Sequence, residues 1–179
     1  MTTFNLDEYY PISKENPHSY YQYMFTNFWR PVGIPLENVN IPDGEAADTE
    51  QVCRVYEQKI ARAGGIDFIV LGIGGNGHIG FNEPQDHLTA DTHLTHLSEE
   101  TIAANSRFFA RPEDVPRMAL TMGIGTIMKA REILLLVAGR GKADIIKKTL
   151  AGGVRTDVPA SLLQVHPRVT VLLEKAASS

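Results

Sequence analysis

The sequence predicts an α/β fold, a three-layer α/β/α arrangement around a mostly parallel sheet, and three observations carry that expectation. Ile66 to Ile73 is nearly continuous in apolar residues, and Glu132 to Val137 is apolar after its first residue. Runs of this kind belong to strands buried on both faces of a parallel sheet. Helix-patterned segments alternate with them and supply the crossovers that parallel pairing needs. A glycine-rich loop from Gly72 to Pro84 leaves the end of the first run, which is where open α/β sheets bind their ligands.

Taken in order, Thr3 to Leu6 is a short extended piece. Pro17 can occupy the first turn of a helix reaching about Trp29, because its fixed φ and missing N–H suit that position. The aromatic side chains of this helix, from Tyr20 to Trp29, read as packing rather than as a stacking surface for a ligand. Asn38 to Ile41 is a candidate strand ended by Pro42-Asp43-Gly44. A helix from about Thr49 to Ala63 puts Val52, Val55, Tyr56 and Ile60 on one face and stops at Gly64-Gly65. Beyond the glycine loop, Ser98 is an N-cap followed by Glu99 and Glu100 in the first turn of a helix that reaches about Phe108. After Glu132 to Val137 come Gly139-Arg140-Gly141-Lys142 and a helix over Ala143 to Leu150. Pro159 opens a short turn or helix through Leu163, and Val169 to Leu173 is the last strand.

The chain has 179 residues, enough for one domain with a sizeable core. A formal net charge of −4 argues against a general nucleic-acid or membrane-surface binder. The single cysteine, Cys53, excludes an internal disulfide and reads as a small apolar residue on its helix. No Cys/His cluster suggests a metal. The N-terminus has no export pattern and no apolar stretch approaches the about 18 residues of a membrane span, so a cytoplasmic protein is expected.

The loop reads Gly72-Ile73-Gly74-Gly75-Asn76-Gly77-His78-Ile79-Gly80-Phe81-Asn82-Glu83-Pro84. This is not the G-x-G-x-x-G that opens a helix at a dinucleotide site, since Asn82-Glu83-Pro84 breaks any helical register. His78 taken singly reads equally well as an ordinary hydrogen-bonded side chain. With Glu83 five residues on, the two can form a base and its orienter across a tight loop. Asp7 by itself reads as a solvated loop acid, and Arg107 and Lys142 as surface cations.

Several ordered blocks change those readings. Phe4-Asn5-Leu6-Asp7-Glu8-Tyr9, the loop from Gly72 to Pro84, Ala104-Asn105-Ser106-Arg107-Phe108-Phe109, Ala119 to Thr126 and Val158-Pro159-Ala160-Ser161 together resemble the glucosamine-6-phosphate deaminase (glucosamine/galactosamine-6-phosphate isomerase) family. The F-N-E-P ending of the loop favours this branch over the 6-phosphogluconolactonases, which share the fold and a related G-x-G-x-D-G-H loop. The resemblance implies a single sugar-phosphate isomerase/deaminase-like domain over residues 1–179 with a Rossmann-like sheet. It implies conversion of glucosamine 6-phosphate and water into fructose 6-phosphate and ammonia, a hydrolytic deamination coupled to isomerisation in amino-sugar catabolism, with no metal and no organic cofactor.

By the same resemblance His78 opens the sugar ring, Glu83 tunes and orients it, and Asp7 moves a proton between C2 and C1. Asn76 stands where one form of the family loop carries aspartate and other members carry asparagine, and is expected to hydrogen-bond His78 or substrate without adding charge. Arg107 and Lys142 match the guanidinium and ammonium contacts to the substrate phosphate. The alternatives are a 6-phosphogluconolactonase, a galactosamine-6-phosphate deaminase, or a non-catalytic remnant. Family members carry a strand, a helix and a strand with a phosphate-cradling turn before F-N-L-D-E-Y. The expectation is therefore a chain truncated at the N-terminus, with an open sheet edge and a tendency to form homo-oligomers. Its partner is a phosphorylated amino sugar, not a nucleic acid or a membrane.

Overall fold

A computed structural model describes residues 1–139 and 141–177. In chain order the elements are β1 (Thr3–Phe4), β2 (Asp7–Tyr10), α1 (Tyr20–Met24), α2 (Arg30–Val32), β3 (Val39–Asn40), α3 (Thr49–Arg62), β4 (Phe68–Leu71), β5 (His93–His96), α4 (Glu99–Asn105), β6 (Met118–Thr121), α5 (Ile124–Met128), β7 (Glu132–Val137), α6 (Ala143–Ala151) and β8 (Val169–Leu173). They fall into two compact units, one made of Met1–Ile60 and Thr92–Met122, the other of Ala61–Asp91 and the chain from Gly123 onward. Among the described residues no helix is long and apolar enough to cross a membrane.

In the first unit, β1 pairs with β3 in parallel, and β2, β6 and β5 form an antiparallel sheet with β6 in the middle. The fold is α/β with mixed sheets: among the described strands three pairings are parallel, and the antiparallel part was not expected. The antiparallel part was hidden because β5 is only His93-Leu94-Thr95-His96, too short and too polar to read as a strand. The register sets Asp7, Thr121 and His93 in one row across the sheet.

The first long helix starts at Tyr20 and not at Pro17, because the Ser19 hydroxyl caps it by accepting the Gln22 N–H at 3.1 Å. It continues through a π-helical turn, Phe25–Trp29, into α2. Gly33 ends it with φ of 74°, a left-handed conformation that glycine adopts without a Cβ clash. Trp29 is fully buried in this unit.

In the second unit, β4, β7 and β8 form a parallel sheet with β7 in the middle. These strands are not buried on both faces. Ile69, Leu71, Ile133, Leu135 and Val137 point into the core, while Phe68 is 54% exposed and Val70 47%. Leu136 and Leu172 lie on the same outward face and are exposed as well. An uncovered apolar face on a parallel sheet is an adhesive surface. Replacing Val70 and Leu172 together by threonine, which keeps strand propensity, is expected to lower both the light-scattering mass at high concentration and the fluorescence of an apolar-surface dye. Unchanged scattering and dye signal would show that this face does not drive association.

Candidate active site

The glycine loop leaves the carboxyl end of β4, and its shape is set by two short-range backbone bonds and one from the distant 3₁₀ segment. The Gly74 N–H donates to the His78 carbonyl (3.0 Å), the Gly77 N–H to the Gly74 carbonyl (3.1 Å), and the Ala160 N–H to the Gly77 carbonyl (2.9 Å). Gly77 has φ of 90° and sits against Ile145 and Val158, so a side chain there would be both strained and crowded. The His78 ring lies on Gly74, where a Cβ would overlap the ring atoms Cε1, Nδ1 and Nε2.

Three polar side chains meet inside this loop. The Asn76 amide donates to Glu83 Oε2 at 2.7 Å, and its carbonyl oxygen accepts the His78 backbone N–H at 3.2 Å. His78 Nδ1 stands 3.4 Å from the same Glu83 oxygen, an ion pair whenever the imidazole is protonated. Glu83 is buried and His78 nearly so. Asn76 therefore acts as the clamp of the loop, tying the carboxylate to the backbone that carries the imidazole. An imidazole whose Nδ1 faces a fixed carboxylate is oriented with Nε2 directed away from it, the arrangement a proton-transfer group needs. Lys142, at the N-cap of α6, donates from Nζ to the Ile73 carbonyl at 3.0 Å and so joins the same loop.

Asp7 and Arg107 lie in the first unit. Asp7 opens β2, and burial pushes its carboxyl up to about 7, with the adjacent Glu8 charge adding to the rise. A carboxylate with that proton affinity is suited to take and return a proton near neutrality. The solvated-acid reading of Asp7 does not describe this environment. Arg107 lies exposed on a 3₁₀ turn, Ser106–Phe108, with its guanidinium 4.7 Å from the Phe108 ring centre. Glu99, a neighbour in sequence, pairs with Arg117 instead, at 2.9 Å. Among the described residues no three His, Cys, Asp or Glu side chains gather as a metal-ligand group.

The sequence reading passed over Glu8, which is 2% exposed and accepts three backbone N–H groups, from Tyr9, Tyr20 and Tyr21, each at 2.9 Å. An acid beside another acid, directly after the extended piece Thr3 to Leu6, was the available signal. Ser161, also fully buried, both accepts the Arg155 N–H (2.8 Å) and donates to the Arg155 carbonyl (3.0 Å), closing the turn before the 3₁₀ segment Pro159–Val165.

A model of the family described as glucosamine-6-phosphate isomerases/6-phosphogluconolactonase matches residues 2–172. The chain belongs to this family. Its relatives include a glucosamine-6-phosphate deaminase of Halothermothrix orenii, 58% identical over the whole chain, which spans 74% of that protein. A glucosamine-6-phosphate deaminase of Thermoanaerobacter pseudethanolicus is 53% identical over the same 179 residues, 71% of its length. Among solved structures, a monomeric glucosamine-6-phosphate deaminase of the NagB superfamily superimposes with a TM-score of 0.96 at 45% identity, over 99% of this chain and 73% of that one. The 6-phosphogluconolactonase of Trypanosoma brucei shares the fold at a TM-score of 0.72 and 20% identity. The family fold thus accommodates both chemistries, and the deaminase members resemble this chain far more closely in sequence.

Proposed function

We propose that this chain converts glucosamine 6-phosphate and water into fructose 6-phosphate and ammonia. The observation that carries this reading is the match at 45% identity and a TM-score of 0.96 to a monomeric glucosamine-6-phosphate deaminase. The hydrogen-bonded Asn76, Glu83 and His78 loop supports it chemically. His78, oriented by Glu83, passes a proton between the ring oxygen and the C1 hydroxyl, so the pyranose opens to the aldehyde. Asp7 takes the proton from C2 and returns it to C1, leaving an imine at C2 that water hydrolyses with release of ammonia. Asn76 serves by holding Glu83.

Residues 1–179 act as one sugar-phosphate domain in this reading, because the family match runs through both units. The parallel sheet β4-β7-β8 is the centre of a three-layer, Rossmann-like architecture, and its place of work is the cytoplasm, where charged sugar phosphates are retained. Its exposed apolar face would drive self-association.

The deciding experiment on purified protein sets an ammonia-release assay with glucosamine 6-phosphate and galactosamine 6-phosphate beside a proton-release assay with 6-phosphogluconolactone, read above its spontaneous hydrolysis. Ammonia from the first and no lactone hydrolysis is the expected result, and hydrolysis of the lactone alone would overturn the reading. Arg107 and Lys142 are assigned to the substrate phosphate, remote from the reacting carbons. Each alanine variant is expected to raise KM about tenfold or more while lowering kcat much less, as loss of a charge-assisted bond made equally in ground and transition states requires. Unchanged KM in both would remove the phosphate assignment.

A further inference from the structure

Glu8 is an ionisable group in the interior with an unusual set of partners. Its Oε1 accepts the N–H of Tyr9 on its own strand and the N–H of Tyr20, and its Oε2 accepts the N–H of Tyr21, all at 2.9 Å. The last two are the opening amides of α1, donors that no turn of the helix can satisfy. The carboxylate thus fastens the strand that carries Asp7 to the amino end of a helix. Ser19 already caps this helix through Gln22, so Glu8 completes a cap rather than providing the only one.

Burial raises the hydroxyls of Tyr9, Tyr20 and Tyr56, and the Asp7 charge adds to the rise in each. Tyr9 and Tyr20 stack with ring centres 5.0 Å apart, and Asn105 donates to the Tyr9 hydroxyl at 3.0 Å. The Tyr56 hydroxyl donates to the Asn5 carbonyl at 2.8 Å, two residues before Asp7. Across the sheet the row continues through Thr121 to His93. Glu8 is the acid whose charge bears on Asp7.

We propose that Glu8 is the positioning residue for Asp7 in the proton-transfer step: its three backbone hydrogen bonds tie β2 to the amino end of α1 and so fix where the strand presents Asp7. This rests on the reading of Asp7 as the base. Burial raises the proton affinity of Asp7, and the Glu8 charge beside it adds to the rise.

The test is Glu8→Gln, which loses the charge and offers an N–H₂ where an acceptor is needed, compared with Glu8→Asp, which keeps the charge and loses the reach. For Glu8→Gln, kcat is expected to fall about tenfold or more with KM nearly unchanged, since a displaced reacting group slows chemistry without weakening remote binding. The acidic limb of its kcat profile and the carbon-13 titration of the Asp7 carboxyl should both move to lower pH by about half a unit or more. Glu8→Asp should lose kcat while its acidic limb stays in place. A lower melting temperature with kcat and the Asp7 titration unchanged would reduce Glu8 to a structural cap and overturn the proposal. If Glu8→Gln does not fold, a Glu8→Asp variant with full kcat, or an Asp7 in the wild-type protein titrating in the ordinary carboxylate range, overturns it equally. The titration needs no turnover, so a wild-type chain that releases no ammonia would count against the proposed reaction and leave the Glu8 result readable.

Discussion

Asp7→Asn is expected to abolish most of the ammonia release and, at the same time, to make the protein more stable at neutral and alkaline pH. The amide has the shape of the carboxyl but cannot accept the C2 proton, and a positioned base contributes about 10²–10⁴-fold. KM should change little. In the parent protein the same group is expected to set the acidic limb of the rate profile: with its carboxyl pushed up to about 7, Asp7 is increasingly protonated below neutrality and turnover should fall as pH drops.

The stability effect follows from the direction of that shift. A free aspartate has a value of 3.8, and burial raises Asp7 to about 7. Between these values the folded protein holds a proton that the unfolded chain has released, so this group's contribution to stability falls as pH rises through the window. Above it the folded state carries a desolvated charge. Asn carries none, so Asp7→Asn should exceed the parent by about 2–4 kcal/mol at pH 8, a range set below the full linkage value because the side chain keeps some solvent contact. The two proteins should converge near pH 4. Urea unfolding of both at pH 4, 6 and 8 measures this. A variant that is inactive and also less stable at pH 8 would mean that Asp7 is held as a satisfied ion, and the account of its raised proton affinity would fail.

Gly74→Ala is the second change with a large expected effect, although it touches no reacting atom. An added Cβ would overlap the His78 ring at Cε1, Nδ1 and Nε2, so the imidazole must leave its place opposite Glu83. Displacing a proton-transfer group by about 1 Å costs on the order of 10²-fold in rate. Gly72→Ala, in the same loop but facing open space, should cost far less. Because Gly74→Ala acts through the ring, it should add little to His78→Gln in a double variant, the non-additivity expected of groups in contact. Both single variants should be impaired mainly with the closed pyranose. Equal rates for Gly74→Ala and Gly72→Ala would show that the His78 position is not what the reaction depends on.

What the sequence by itself determined is local. The Ser98 cap opens α4 by accepting the Thr101 N–H. Tyr56 and Ile60 lie on the buried side of α3 as expected, together with Cys53, while Val52 and Val55 are half-buried, and β7 and β8 occupy the runs that their apolar residues mark. The loop from Gly72 to Pro84 could be recognised because its residues are contiguous and the hydrogen bonds joining Asn76, His78 and Glu83 span at most seven positions. Capping, periodicity and tight turns act over one or two turns of chain, so the residues that decide them are neighbours in the sequence.

Only the tertiary structure decided the rest. The antiparallel order β2-β6-β5 sets Asp7 beside Thr121, a partner far along the chain that no local pattern announces. The two faces of β4 carry equally apolar residues, yet one is covered and the other is not, because coverage depends on what packs against the strand. The character of Asp7 was likewise undetermined: the same carboxylate is a solvated acid in an open loop and a base near neutrality once buried beside Glu8. Proton affinity is a property of the surroundings, and those surroundings exist only when segments distant in sequence have come together.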